Sequence, residues 1–156
     1  MTRGRNPSAA LIVDTNIIVG AILSPRRRPI WALASARRRL LISIEGVAEV
    51  MSVISHARGR LPYAVEDAAA LLELLDAPSV DRYTHLLAEA ADALRNAVAS
   101  RNGSVNDAHI LALAWTYDAD IWSHDRDFAG TGWPSWSSAN LAAALADESE
   151  AEAQPV

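Results

Sequence analysis

The run Ala10-Leu11-Ile12-Val13 contains no polar residue and ends abruptly at Asp14. A strand with one wet face alternates apolar and polar side chains. An unbroken β-rich run instead marks a strand buried on both faces, as in parallel sheets covered by helices on either side. Leu40 to Ile44 and Ala119 to Ser123 read as a second and a third strand, and Trp133 to Ser137 as a short fourth. Helical spacing fills the intervals. Ile17 to Leu23 runs until Pro25, a second helix opens at Pro29 and reaches Arg39, and Glu45 to His56 places Val47, Val50, Met51 and Ile54 on one face before stopping near Gly59 and Pro62. Tyr63 to Asp76 and Asp81 to Ser100 read as two helices broken at Pro78. Asn102-Gly103 is a turn, Val105 to Tyr117 is helical, and Ser138 caps a last helix to Leu145. No internal repeat is visible. Strand, helix, strand, helices, strand is the order of a mostly parallel sheet covered on both faces.

With 156 residues, 51% of them hydrophobic, the chain suits one domain with a substantial core. We expect a flexible tail over residues 1–9, a domain over 10–146 and an acidic, frayed tail over 147–156. No apolar run approaches the roughly 20 residues of a membrane span, and the basic N-terminus lacks both a long apolar segment and a small-residue cleavage site, so a soluble, cytoplasmic protein is expected. The absence of cysteine excludes disulfides, thiolate catalysis and zinc-cysteine sites. The net charge of -5 conceals an asymmetry: residues 1–60 hold ten Arg against three acids, residues 61–156 four Arg against sixteen. Every basic residue is Arg, which suits bidentate phosphate recognition and is equally the mark of a GC-rich genome. Arg26-Arg27-Arg28 and Arg37-Arg38-Arg39 are candidate basic patches or simply solvated helix ends.

Five carboxylates stand where one α/β site would need them: Asp14, Glu49, Asp107, Asp125 and Asp127. Open parallel sheets bind ligands at the carboxyl ends of their strands, where Asp14 and Asp125 fall. Asp107 shares a helical face with Ile110, Leu111 and Ala114, which turns it toward the sheet, although Ser104 to Asp107 also reads as an ordinary helix start capped by Ser104. Glu49 borders an apolar face and shares its stripe with Glu45 and Ser52, so spacing alone leaves it either a ligand or a solvated acid. Ser123-His124-Asp125-Arg126-Asp127-Phe128 reads as a strand-end hook anchored by Phe128, or as a polar turn. Two carboxylates about 4 Å apart repel by roughly 4 kcal/mol at an effective dielectric of 20, so such a cluster calls for a cation. Oxygen-only ligands select Mg²⁺ or Mn²⁺. Thr15, Asn16 and Ser123 are placed to orient carboxylates or bound water, and are also ordinary capping and turn residues. His56, His85, His109 and His124 lack zinc spacing, and only His124 adjoins a proposed ligand. The five Trp read as packing residues rather than base-stacking platforms.

The Asp14-Thr15-Asn16 opening, the single Glu49, the Asp107 helix start and the Asp125-x-Asp127-Phe128 hook resemble a PIN domain in order and approximate spacing, over residues 11 to about 145. The resemblance implies a three-layer α/β/α fold with a central, mostly parallel sheet of four to five strands. It also implies metal-dependent ribonuclease activity. Asp14, Glu49, Asp107 and Asp125 match the family's acidic quartet, with Asp127 as a frequent fifth acid. Ser123 stands where Thr is commoner, and Gly103 to Asn106 lacks acids that some relatives carry, which leaves open one or two metals. A small stand-alone PIN domain most resembles VapC-type toxins of toxin-antitoxin pairs, implying an RNA substrate, a small antitoxin partner and a homodimer. On this reading the side chains hold Mg²⁺ or Mn²⁺, which activates water against an RNA phosphodiester. Arg126, Arg26 and Arg37 are the candidates for offsetting the site's negative potential toward RNA. The rival readings are a PIN nuclease of RNA maturation, a catalytically degenerate PIN module that binds RNA or protein, and a haloacid-dehalogenase-like phosphatase. The last normally needs a second Asp where Asn16 stands.

Overall fold

The structure, a computed structural model, describes residues 5–57, 64–97 and 105–154. Five strands, β1 (Ala10–Val13), β2 (Arg39–Leu41), β3 (Leu75–Asp76), β4 (Asp120–Trp122) and β5 (Ser135–Trp136), form one sheet in the order β3-β2-β1-β4-β5. Every pairing is parallel. The helices are α1 (Thr15–Leu23), α2 (Pro29–Arg37), α3 (Ile44–Ala57), α4 (Ala64–Glu73), α5 (Leu87–Arg95), α6 (Ala108–Tyr117), α7 (Arg126–Gly130) and α8 (Ser138–Ala153).

The unbroken apolar run of β1 is explained by its central place. Leu11 and Val13 point into one core, with Ile18, Trp31, Val50 and Leu141, while Ile12 points into the other, with Leu94, Leu111 and Phe128. Strand side chains alternate between faces, so Ile121 joins the second core and its neighbour Trp122 the first. Helices α1, α2, α3, α4 and α8 contribute to the first layer and α5, α6 and α7 to the second, which completes a three-layer α/β/α fold. Trp122 packs on Trp31 at 4.9 Å between ring centroids and donates its indole N–H to Ser138 Oγ.

Several elements differ from their predicted form. The second strand ends at Leu41 rather than Ile44, because Ser43 accepts from Gly46 N through its hydroxyl and from Val47 N through its carbonyl and so opens α3 early. Leu75–Asp76, predicted as the end of a helix, leaves α4 and pairs with β2. Val80–Arg82 and Thr84–Leu86 form two 3₁₀ turns in place of the predicted α-helix, on either side of Tyr83, which is pinned in the core: its hydroxyl accepts from Ile44 N and donates to Glu45. The hook at Asp125 winds into α7, with Phe128 as its buried anchor. Ser137, not Ser138, caps α8, and α8 continues to Ala153, where Glu148 and Glu152 pair with Arg37 and Arg38. Residues 5–9 are likewise not wholly loose, since Arg5 and Ser8 bond Asp120. The predicted helix stop near Gly59 and Pro62, the Asn102-Gly103 turn and the Ser104 cap lie outside the described residues.

Candidate active site

Parallel pairing places every strand's carboxyl end on one edge, and β1 beside β4 aligns Val13 with Trp122. The next residue of each strand therefore meets its counterpart. Asp14 N donates to Trp122 O at 3.0 Å, and Ser123 Oγ donates to Asp14 Oδ2 at 2.6 Å. Ser123 Oγ also accepts from Asp125 N at 2.9 Å, and Asp125 Oδ1 accepts from Asp127 N, also at 2.9 Å, as the N-cap of α7. Asp14 is itself the N-cap of α1, with Asn16 N directed at its Oδ1. One connected set of hydrogen bonds thus ties Asp14 to Asp125 through Ser123. Helix N-termini favour anionic caps, which lets the fold hold two carboxylates side by side before any cation arrives.

Asp107 precedes α6 on the far side of β1, and Glu49 lies on the exposed face of α3. Burial, then the charges of Asp14, Asp125, Glu49 and Asp127, push the Asp107 carboxyl up to about 7. Asp14 is raised as well, chiefly by burial; the Ser123 hydrogen bond opposes the shift, and the charges of Asp125 and Glu49 add to it. The five acids predicted from sequence therefore share one electrostatic neighbourhood. Among the described residues none of the five makes an ion pair with Arg or His.

The donors fit a hard divalent ion in kind: all are carboxylate oxygens, their charge is uncompensated, and Thr15 Oγ1 beside Asp14 is buried without a hydrogen-bond partner among the described residues. Among those residues no three acids stand close enough to enclose one ion as they are, so an ion held by three of them would need their side chains to move. Of the other predicted helpers, Ser123 bridges two acids, and Asn16 contributes its backbone N–H while its side chain is exposed. Arg126 opens α7 next to Asp125 and is exposed, and Arg26 lies near His124. Arg37 is elsewhere: it ends α2 at the start of β2, on the opposite edge of the sheet, and is paired with Glu148 and Glu152.

Two features escaped the sequence reading. His109, two residues after Asp107, is buried with Nδ1 2.7 Å from Ser43 Oγ, and so couples α6 to the start of α3. Spacing excluded only a zinc pattern for it. Asp120, buried at the amino end of β4, is held by Arg5, Ser8 N and Trp136 Nε1. It interrupts an apolar strand as the site acids do, and its place at the strand's beginning puts it on the other edge.

Residues 11–134 match the PIN domain family. The chain belongs to the PIN domain family. PIN domains are in general nucleases that use divalent metal ions, and membership sets aside the phosphatase reading. The chain is similar in fold to VapBC2 from Rickettsia felis, solved bound to a DNA fragment from the promoter of that pair: TM-score 0.65, 17% identity, covering 82% of this chain and 98% of that one. No curated protein matches this PIN domain in sequence.

Proposed function

We propose that this PIN domain is a Mg²⁺- or Mn²⁺-dependent endoribonuclease and the toxin of a toxin-antitoxin pair. The observation that carries the nuclease reading is the joining of Asp14 and Asp125 through Ser123 at adjacent strand ends, with neither acid in an ion pair among the described residues. Asp14, Glu49, Asp107 and Asp125 would hold the metal, with Asp127 as a further acid. When bound, a divalent ion lowers the pKa of water and offsets charge on phosphoryl oxygens. Ser123 holds Asp14 and the Asp125 backbone in register, and the two helix caps keep both carboxylates aimed at the strand edge. Asp107, half protonated near neutrality, must give up its proton before it can serve as an anionic ligand.

The toxin part rests on the likeness in fold to a VapBC2 pair, whose name denotes two components. Exposed Leu23, Met51, Val53 and Val65 on α1, α3 and α4 supply apolar surface for an antitoxin segment or a second copy in a homodimer. No helix among the described residues is long and apolar enough to cross a membrane. We place the reaction in the cytoplasm.

Purified protein with RNA and Mg²⁺ or Mn²⁺ should yield cleavage that EDTA abolishes. Asp14→Asn and Asp125→Asn should each lower turnover by about a hundredfold or more, in the range seen when a catalytic electrostatic group is removed. Near-normal turnover in either variant overturns the site. Growth arrest on expression, relieved by co-expression of the neighbouring small protein, tests the toxin role; a wild-type chain that cleaves RNA yet leaves growth unaffected at high expression points to RNA maturation instead.

A further inference from the structure

The arginines divide by what they touch. Among the described residues Arg5, Arg28, Arg37, Arg38, Arg39 and Arg95 each pair with a carboxylate, whereas Arg26, Arg27, Arg82 and Arg126 pair with none. Arg26 and Arg27 stand together on the exposed 3₁₀ turn Pro25–Arg27 and rim a cavity of about 720 Å³. Its walls are largely apolar, from Ile30 and Leu33 of α2 and Ala142 of α8. His124 closes one end with Nε2 3.3 Å from Ser138 Oγ, and the next residue is the site acid Asp125. The volume falls within the roughly 300–1,000 Å³ of small-molecule sites.

Arg27 has a prepared seat. Its Nη1 lies 2.7 Å from where a Cβ on Gly20 would be, so the missing side chain in the middle of α1 leaves room for the guanidinium. Glycine inside a helix is less favourable than alanine by about 1 kcal/mol, and here it keeps a cation at the cavity rim.

We infer that this cavity is a nucleotide subsite, which rests on the ribonuclease reading above: it receives one unpaired base of RNA while Arg26 and Arg27 hold the flanking phosphate, next to the bond cleaved at Asp125. The apolar walls suit a base, and planar guanidinium groups suit phosphate oxygens. A base enters such a socket only when it is free of a duplex stack, so the substrate is single-stranded at this nucleotide. An acidic peptide would also suit the two arginines, but its carboxylates bring no planar base to fill the apolar walls.

Binding is read with a short single-stranded RNA carrying 4-thiouridine, on an Asp14→Asn protein to prevent cleavage, and KM is read on otherwise wild-type protein. Arg26→Gln with Arg27→Gln, both exposed, should weaken binding about tenfold and reduce the salt slope by about 0.7, the value for one single-strand phosphate contact. Ala142→Trp, which fills the socket, should raise KM and remove the photo-crosslink to the peptides of Ile30 and His124. If Ala142→Trp does not fold, Ala139→Trp, at an exposed position of the same wall, fills the socket instead, and Gly20→Ala separately tests the Arg27 seat by displacing its guanidinium from a helix it otherwise strengthens. A duplex of the same sequence should give no crosslink there. If wild-type protein cleaves single-stranded RNA while the arginine and cavity variants retain its KM and salt slope, the subsite is overturned and the ribonuclease stands. If wild-type protein cleaves no RNA with either metal, both fall.

Discussion

Asp107 couples pH to stability through one side chain. Its carboxyl sits at about 7 in the fold against an ordinary value of 3.8, raised first by burial and then by four neighbouring charges. The folded state therefore holds this proton more tightly than the unfolded chain does. The resulting stabilisation is complete below about pH 3.8 and is lost as pH rises through about 7. Asp107→Asn removes the penalty, so its melting temperature in EDTA should exceed the wild-type value by a few degrees at pH 8 and by less at pH 6. A pH-independent difference overturns the assignment. His109 acts in the opposite sense, because burial lowers its pKa and its contribution to stability is lost as pH falls below 6.5; present in both proteins, it cancels in the comparison. Mg²⁺ or Mn²⁺, bound only by the native state, should raise the wild-type melting temperature as concentration increases, and Na⁺ at matched ionic strength should not. A flat response up to about ten millimolar would point to a degenerate module. Asp14 and Asp125 were legible in sequence because a residue that ends a buried strand has only one edge to occupy. Glu49 was not, since its helical stripe is shared with Glu45 and Ser52 and its place depends on how α3 is anchored.

That anchoring is made at the start of α3. Ser43 Oγ accepts from Gly46 N and meets His109 of α6, while Tyr83 satisfies Ile44 N and Glu45 together. A Cβ at Gly46 would lie 3.0 Å from Ile42 Cγ1 and 3.1 Å from Ser43 Oγ, so any larger residue disturbs the cap. Ser43→Ala should destabilise the protein by about 1–2 kcal/mol through the lost cap and the stranded His109 nitrogen. Because α3 carries Glu49 and His109 follows Asp107 by two positions, kcat should also fall, measured well below the melting temperature, where the variant is fully folded. An unchanged kcat would reduce Ser43 to a cap alone. At this scale the sequence was least informative. Leu74-Leu75 continues the apolar spacing of α4 without a Gly or Pro to announce β3, and the break before α5 is imposed by the contacts of Tyr83, which no local propensity encodes.

Over the whole molecule the two edges of the sheet have opposite electrostatic character. The carboxyl edge gathers the five site acids, none of them in an ion pair among the described residues; the amino edge is closed by ion pairs, with Asp120 bound to Arg5 at 3.0 Å, and Arg37 and Arg38 bound to Glu148. Asp120→Ala strands Ser8 N and the Trp136 indole N–H, and should destabilise by about 2–4 kcal/mol while leaving metal affinity unchanged, since the site lies across the sheet. A parallel loss of metal affinity would mean that the edges are mechanically coupled. The layered fold was readable because two-faced burial of β1 admits few architectures. The ion pairs of α8 were not, because the acidic composition of residues 147–154 reads equally as a solvated tail.

The bond between Ser123 and Asp14 spans 109 positions. A ribosome making this chain completes Asp14 well before β4, the strand that leads to its partner. A nascent chain that stops short of β4 therefore has Asp14 without Ser123 and Asp125, and the joined pair of acids exists only once β4 lies beside β1. On the ribonuclease reading proposed above, this order keeps the assembled pair of acids away from the message until β4 has been made.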